Sequence, residues 1–127
     1  MEFIDLKKQY QILQPLIQNR ISSVLEHGKF IMGPEITELE KKLASYVGCQ
    51  HCITCSSGTD ALLLSLTSYE VGHGDAVFTT PFTFIATAEV ICFLGATPIF
   101  VDIDADTFNI DPLKLNESIQ NIIAHFA

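Results

Sequence analysis

The turn at residues 56–60 holds the residues of this sequence best suited to binding a ligand. It reads Ser-Ser-Gly-Thr-Asp and lies between a short apolar run and a stretch rich in Leu and Ala, which predicts strand, turn and helix. Unpaired backbone N–H groups and the dipole at the start of a helix favour a phosphate. Gly58 permits close approach and Thr59 adds a hydroxyl donor. The turn lacks the lysine of a nucleotide-binding loop and the three glycines of a dinucleotide turn, so a phosphate here would have no local cation.

The same residues are also typical of an ordinary helix cap, because Ser and Thr are preferred at helix N-termini. Asp60 counts against a phosphate site, since a carboxylate close to a phosphate repels it unless the side chain turns away. The sequence leaves open both the role of the turn and the direction of the Asp60 side chain.

A second candidate is the aromatic residue Phe84, in the segment at residues 80–84 that follows a predicted strand. That position is the carboxyl edge of the sheet, where open α/β folds bind their ligands. An aromatic side chain there can stack on a flat heteroaromatic ring. A single Phe is more often a core residue than a stacking platform, so the candidate depends on the neighbouring turn.

Two groups of residues resemble parts of metal sites. Cys49, Cys52 and Cys55 have the C-x2-C-x2-C spacing of an iron–sulfur ligand run, but the further Cys followed by Pro is absent. The D-x-D-x-D run at residues 102–106 resembles the start of a calcium loop that lacks its glycine and distal glutamate. We therefore expect no metal ligands and interpret the Asp run as a polar strand exit. A metal site at the three cysteines remains an alternative hypothesis.

The elements that would position these residues follow from periodicity and from Gly and Pro signals. Apolar residues three and four positions apart predict an amphipathic helix from Leu6, ended near Gly28, and Gly33 with Pro34 opens a second. The predicted order is helices at 6–27 and 34–47, a strand at 52–55, a helix at 60–69, a strand at 76–79, a helix at 83–94, a strand at 98–102 and a helix from 112 to about 123.

Strands that alternate with helices of ten to twelve residues predict an α/β fold with a mainly parallel sheet. Parallel strands need helices on both faces, which makes three layers, but only two complete crossovers are present. We therefore expect one compact unit whose sheet edges a longer chain would cover, so the chain looks truncated.

Charge and hydropathy narrow the classes of partner. The chain has 127 residues, 48% of them hydrophobic, and a formal net charge of −8 without any basic stripe, which argues against nucleic acid and anionic membranes as partners. The N-terminus is acidic from Glu2 and lacks the order of a secretory signal, so we expect a cytoplasmic protein. The apolar stretch at residues 82–101 is interrupted by Glu89, Gly95 and Pro98, which argues against a membrane span.

Seven blocks of the sequence, taken in order and with their spacing, resemble the DegT/DnrJ/EryC1/StrS family of aminotransferases. The blocks are residues 3–6 (FIDL), 30–35 (FIMGPE), 57–62 (SGTDAL), 80–87 (TPFTFIAT), 95–98 (GATP), 101–104 (VDID) and 109–112 (NIDP). The resemblance implies a pyridoxal-phosphate enzyme of fold type I that moves an amino group from glutamate to a nucleotide-linked keto sugar. It also implies a homodimer with active sites at the subunit interface.

By position, the resemblance implies that Gly58, Thr59 and the backbone of Asp60 bind the cofactor phosphate. It also implies that Phe84 stacks on the pyridine ring. By the same analogy, residues 30–33 lie near the dimer interface and the partner's active site. The residues in these blocks are most similar to those of enzymes that aminate UDP-linked 3-keto sugars for surface polysaccharide.

The resemblance also implies two residues that this sequence lacks, an acidic partner for the pyridine nitrogen and a lysine that forms the Schiff base with the cofactor. The pattern departs from the family after Ile119, and the lysines present are interpreted as surface or turn residues: Lys7, Lys8, Lys29, Lys41, Lys42 and Lys114. We therefore expect an N-terminal aminotransferase fragment, residues 1–127 of the large cofactor-binding domain, that has no catalytic residue and is inactive alone. A non-catalytic phosphate-binding or dimerisation module is the alternative from another class.

Overall fold

A computed structural model of the chain describes residues 3–126, with side chains up to residue 124. The chain divides into two compact units, Met1–Thr54 and Cys55–Ala127, where the sequence suggested one. Within the described residues, no helix combines the length and the apolar character that crossing a bilayer requires.

The first unit contains two helices, α1 (Leu6–His27) and α2 (Pro34–Val47), with the bounds that the periodicity predicts. The side chain of Asp5 caps α1 by accepting the N–H of Lys8. Each helix ends at a glycine in the left-handed conformation, Gly28 with φ 65° and Gly48 with φ 73°. No residue of α1 is buried, so its apolar stripe faces solvent.

A compact turn between the two helices is held by the His27 imidazole. Its Nδ1 accepts the N–H of Lys29 at 3.0 Å, and its Nε2 lies 3.0 Å from Oε1 of Glu35 in the first turn of α2. The hydrogen bond from His27 holds the pKa of the Glu35 carboxyl below its ordinary value. Gly33 is buried in this turn, and a Cβ placed on it would lie 2.5 Å from the carbonyl oxygen of Lys29. Only glycine therefore fits this turn without a shift of the backbone.

Residues 52–55 do not form the strand that the apolar run predicts. A strand exists only where a neighbouring strand pairs with its backbone, and no described segment pairs with this one. The N–H and the hydroxyl of Thr54 both donate to Oε1 of Glu40 on α2, each at 2.9 Å. These two bonds, the backbone one first, lower the pKa of the Glu40 carboxyl.

The second unit contains a mixed α/β arrangement around two parallel strands. Its elements in chain order are α3 (Gly58–Ser68), β1 (Ala76–Thr79), α4 (Ala86–Phe93), β2 (Thr97–Phe100) and α5 (Pro112–Phe126). The strands pair in parallel from Ala76 with Thr97 to Thr79 with Phe100. The α/β class and the parallel pairing agree with the sequence, whereas the sheet has two strands where three were predicted.

The core of this unit lies where α4 packs on α3 and on the two strands. It contains Val90, Ile91 and Ala96, with partly buried Leu63 and Val77 against them. Ile91 is 2% exposed, which makes it the most completely buried large side chain. Burial of such a side chain contributes about 1.5–3 kcal/mol to folding, so α4 is the element on which this unit depends.

The boundaries of α3, α4, β2 and α5 differ from the sequence prediction by one to three residues, and for two of them the structure shows the cause. Helix α4 begins at Ala86 and not at Thr83, because the segment after β1 turns first and its Phe82 N–H donates to the hydroxyl of Thr80 at 3.1 Å. Strand β2 ends at Phe100 and not at Asp102, whose carboxylate accepts the N–H of Ile103 instead. Side-chain bonds to the backbone compete here with regular structure.

We predict that Gly33→Ala lowers the free energy of unfolding by about 1–3 kcal/mol, because the added methyl group meets backbone that cannot move aside. Urea unfolding followed by circular dichroism measures the loss. Gly58→Ala is the matched control, since a Cβ at Gly58 meets no atom within 4 Å. An equal effect of the two substitutions would contradict the close approach at Gly33.

Candidate functional site

The turn before α3 combines one capped amide with two free ones. Ser57 is the N-cap, and its hydroxyl oxygen accepts the N–H of Asp60 at 3.1 Å. Within residues 3–126 the N–H groups of Gly58 and Thr59 have no acceptor. These two amides are available to an anion, whereas the Asp60 amide, expected to contact the phosphate as well, is already engaged by the cap.

The Asp60 side chain turns back onto its own turn. Its Oδ2 accepts the hydroxyl proton of Ser56 and, at 3.0 Å, that of Ser57. These two hydrogen bonds, that from Ser56 first, lower the pKa of the Asp60 carboxyl from its ordinary value, so the group is ionised near neutral pH. The direction that the sequence left open is therefore settled: the carboxylate is held by serine hydroxyls at the start of the helix.

Gly58 has a conformation and surroundings that do not themselves require glycine. Its φ is not in the left-handed region, and nothing lies within 4 Å of where a Cβ would be. The fold therefore tolerates a methyl group at this position, and a requirement for glycine would come from a ligand that approaches the backbone closely.

Thr59 lines a groove between α3 and α4. The groove has a volume of about 270 Å³ and its other lining residues are Leu63, Glu89, Val90 and Phe93. Its lining is mostly apolar, and its polar groups are the Thr59 hydroxyl and the Glu89 carboxylate. No Lys or Arg occurs between residues 43 and 113, so the predicted lack of a local cation holds within this sequence.

Phe84 lies after the carboxyl end of β1 and is 75% exposed. It lines a separate hollow of about 200 Å³ together with Pro81, Ile85, Ala88 and Phe100. The exposed ring fits a platform for a planar ligand better than a core position. The hollow lined by Thr59 and the hollow lined by Phe84 share no lining residue.

Several of the side chains considered for metal binding have other partners. The Cys49 thiol donates to the carbonyl of His51 and the Cys55 thiol to the carbonyl of Ser57. Asp104 accepts the N–H groups of Asp106 and Thr107 in a tight turn. Among the residues described here, no three His, Cys, Asp or Glu side chains form a group that could hold a metal ion.

Lys114 is the only lysine of the second unit, and its ammonium group is bound to Asp102 at 2.9 Å. The hydrogen bond that Lys114 donates to Asp102 raises the pKa of Lys114 and keeps the amine protonated. A protonated amine has no lone pair for attack on a carbonyl, so Lys114 is poorly suited to covalent chemistry.

The hold of Ser56 and Ser57 on the Asp60 carboxylate was not predicted from the sequence. A signal was present, since Ser57 and Asp60 have the S-x-x-D spacing of a capping box. Recognising it would have indicated that the Asp60 side chain faces the cap.

Comparison with known proteins places the chain among aminotransferases. The family model described as the DegT/DnrJ/EryC1/StrS aminotransferase family matches residues 11–123. A UDP-2-acetamido-2-deoxy-3-oxo-D-glucuronate aminotransferase of Pseudomonas aeruginosa is 50% identical over 119 residues, which are 94% of this chain and 33% of that protein.

Solved structures show the same likeness in three dimensions. A DegT DnrJ EryC1 StrS aminotransferase from Brucella abortus superposes with a TM-score of 0.90 at 44% identity, over 98% of this chain and 34% of that one. NtdA from Bacillus subtilis, solved with bound cofactor PMP, superposes with a TM-score of 0.77 at 39% identity, over 80% of this chain and 23% of that one.

The mixed α/β unit with its parallel strand pair is thus part of an aminotransferase fold. The chain belongs to the DegT/DnrJ/EryC1/StrS aminotransferase family and spans about a third of the length of the relatives that it matches.

We predict that Ser57→Ala lowers the free energy of unfolding by about 1 kcal/mol, because the amide of Asp60 loses its cap. Thermal or urea unfolding measures the change. Ser65→Ala in the same helix is the matched control: its hydroxyl donates to the carbonyl of Ala61, and we expect no loss of stability. A loss as large as that of Ser57→Ala would show that the cap contributes nothing specific.

We predict that Ser56→Ala raises the pKa of Asp60 toward its ordinary value, because the carboxylate loses the hydrogen bond that most favours its ionised form. The lowered pKa stabilises the fold above the pKa of the unfolded chain, and this contribution is lost as pH falls through the folded pKa. As pH falls, the variant should therefore lose this stabilising contribution of Asp60 at a higher pH than the unmodified chain. Carbon-13 NMR titration of the Asp60 carboxyl measures the shift, and an unchanged titration would contradict the bond.

Proposed function

We propose that this chain is the N-terminal part of the large domain of a pyridoxal-phosphate-dependent sugar aminotransferase of fold type I, with helices on both faces of the complete sheet. Its contribution to the enzyme is to hold the cofactor. Gly58 and Thr59 bind the phosphate through their amides, and Phe84 stacks on the pyridine ring.

The proposal rests on two adjacent amides at the exposed start of α3 that have no acceptor among the described residues. Such amides at a helix N-terminus suit a phosphate, and the Thr59 hydroxyl supplies a third donor. The Asp60 backbone orients the turn through its cap and does not have a free amide to offer. The residues present therefore fit the phosphate end of the cofactor.

When bound, pyridoxal phosphate supplies the electron sink that amino-group transfer requires. The residues of this chain hold and orient it. Phe84 offers a ring that is three-quarters exposed, and the hollow beside it is lined mainly by apolar side chains. Lys114 is held protonated by Asp102, and the other lysines lie outside this unit, so we propose that the chain alone is inactive.

The proposed substrates are glutamate as amino donor and a UDP-linked 3-keto sugar as acceptor. The support is the 50% identity to the Pseudomonas aeruginosa protein, whose name specifies a UDP-linked 3-oxo sugar acid. Amino sugars of this type are building blocks of surface polysaccharide, and we place the reaction in the cytoplasm. The complete enzyme is proposed to be a homodimer with residues 30–33 near the interface, where Phe30, Ile31 and Met32 are exposed.

We expect the purified chain to bind inorganic phosphate and pyridoxal phosphate saturably, with the cofactor binding more tightly because of the ring contact. Gly58→Ala and Thr59→Val should each weaken binding about three- to tenfold, since the first blocks approach to the amides and the second removes a donor. Phe84→Ala should weaken pyridoxal phosphate and leave inorganic phosphate unchanged. Isothermal titration calorimetry measures all three.

Thr67→Val is the control for Thr59→Val, because the Thr67 hydroxyl donates to the carbonyl of Leu63 within the same helix and lies away from the turn. Binding that is unaffected by Gly58→Ala and Thr59→Val would contradict the assignment. Reduction with borohydride followed by peptide mapping tests the expected inactivity: modification of a single lysine by the cofactor would overturn it.

A non-catalytic phosphate-binding module is the second candidate. The ion pair of Lys114 with Asp102 favours it, because it leaves this unit without a lysine suited to covalent chemistry. The same titrations separate the two. A module of this kind would bind inorganic phosphate and pyridoxal phosphate equally, and Phe84→Ala would have no effect on either.

A further inference from the structure

Asp60 is an anion inside a turn that offers its amides to an anion. Its carboxylate is held by the hydroxyls of Ser56 and Ser57, and its own amide is held by the Ser57 oxygen. A serine hydroxyl has one proton to donate. Both serine protons of the turn are therefore used by Asp60, and an incoming phosphate finds only the amides of Gly58 and Thr59 and the Thr59 hydroxyl.

The charges around the turn add to this competition. Glu89 lines the groove with Thr59, and the single lysine of this unit is bound to Asp102. No lysine or arginine between residues 43 and 113 offsets the Asp60 charge. A phosphate that binds here approaches a carboxylate without a compensating cation, which weakens its binding.

We propose that Asp60 is the turn's internal anion: it competes with the phosphate for the hydroxyls of Ser56 and Ser57, and it thereby sets how tightly the turn holds its ligand. This inference rests on the function proposed above. Asp60 acts through the two serines and is a positioning residue. On binding, the hydroxyls rotate from the Asp60 carboxylate to the phosphate oxygens, and the carboxylate is released toward solvent.

Asp60→Asn tests the competition. The asparagine carbonyl still accepts hydrogen bonds from the serine hydroxyls, so the turn keeps its shape, but the charge is gone and the acceptor is weaker. Titration of the 127-residue chain with inorganic phosphate should show an affinity about three- to tenfold higher for the variant than for the unmodified chain.

Glu117→Gln is the matched control because it makes the same change in net charge at an exposed residue of α5. We expect less than a twofold change from it. An equal gain from both substitutions would mean that net charge alone is responsible and would overturn the proposal. So would a variant that binds phosphate no more tightly than the unmodified chain.

A second measurement reports the transfer of the hydroxyls directly. Carbon-13 NMR titration of the Asp60 carboxyl should show its pKa rising toward the ordinary value when phosphate is saturating, because the hydrogen bonds that lower it are lost. An unchanged pKa at saturation overturns the competition and leaves the phosphate assignment intact. If neither the unmodified chain nor Asp60→Asn binds phosphate, the proposed function and this inference fail together.

Discussion

The Ser57 hydroxyl accepts the amide of Asp60, and the properties of the candidate site depend on this one capping bond. A helix begins with amides that have no intrahelical partner, and a single side chain can satisfy only one or two of them. The cap takes the third amide of α3, and the first two have no acceptor within residues 3–126. The same hydroxyl gives its proton to the Asp60 carboxylate, so the cap also decides where the negative charge of the turn lies.

The proposed site consists of backbone amides, hydroxyls and an aromatic ring, and no lysine or arginine occurs between residues 43 and 113. Neutral donors hold a phosphate more weakly than an arginine or lysine would, and they leave the ligand free to exchange. Family membership explains the likeness of the fold, and the chain spans only about a third of the length of its relatives.

The local parts of this structure could be predicted from the sequence, and the parts that depend on distant contacts could not. Helices α1 and α2 follow from periodicity and from Gly28, Gly33 and Pro34, which act within a few residues. The apolar run at residues 52–55 has strand character, but a strand needs a partner, and no local signal reports its absence. The turn at residues 56–60 was identified as a helix start, whereas the direction of Asp60 depended on two hydroxyl rotamers that only the structure shows.

The concentration of the core on α4 has a consequence for motion. Of the six buried apolar residues in the described part of the chain, this helix supplies Ala86, Val90 and Ile91, whereas α1 supplies none. Opening of α4 exposes the core and requires unfolding of the whole unit, but α1 can fray turn by turn at little cost. Amide protons of α4 should thus exchange with deuterium last and those of α1 first. The shorter helix is then the better protected one, since α4 has 8 residues and α1 has 22.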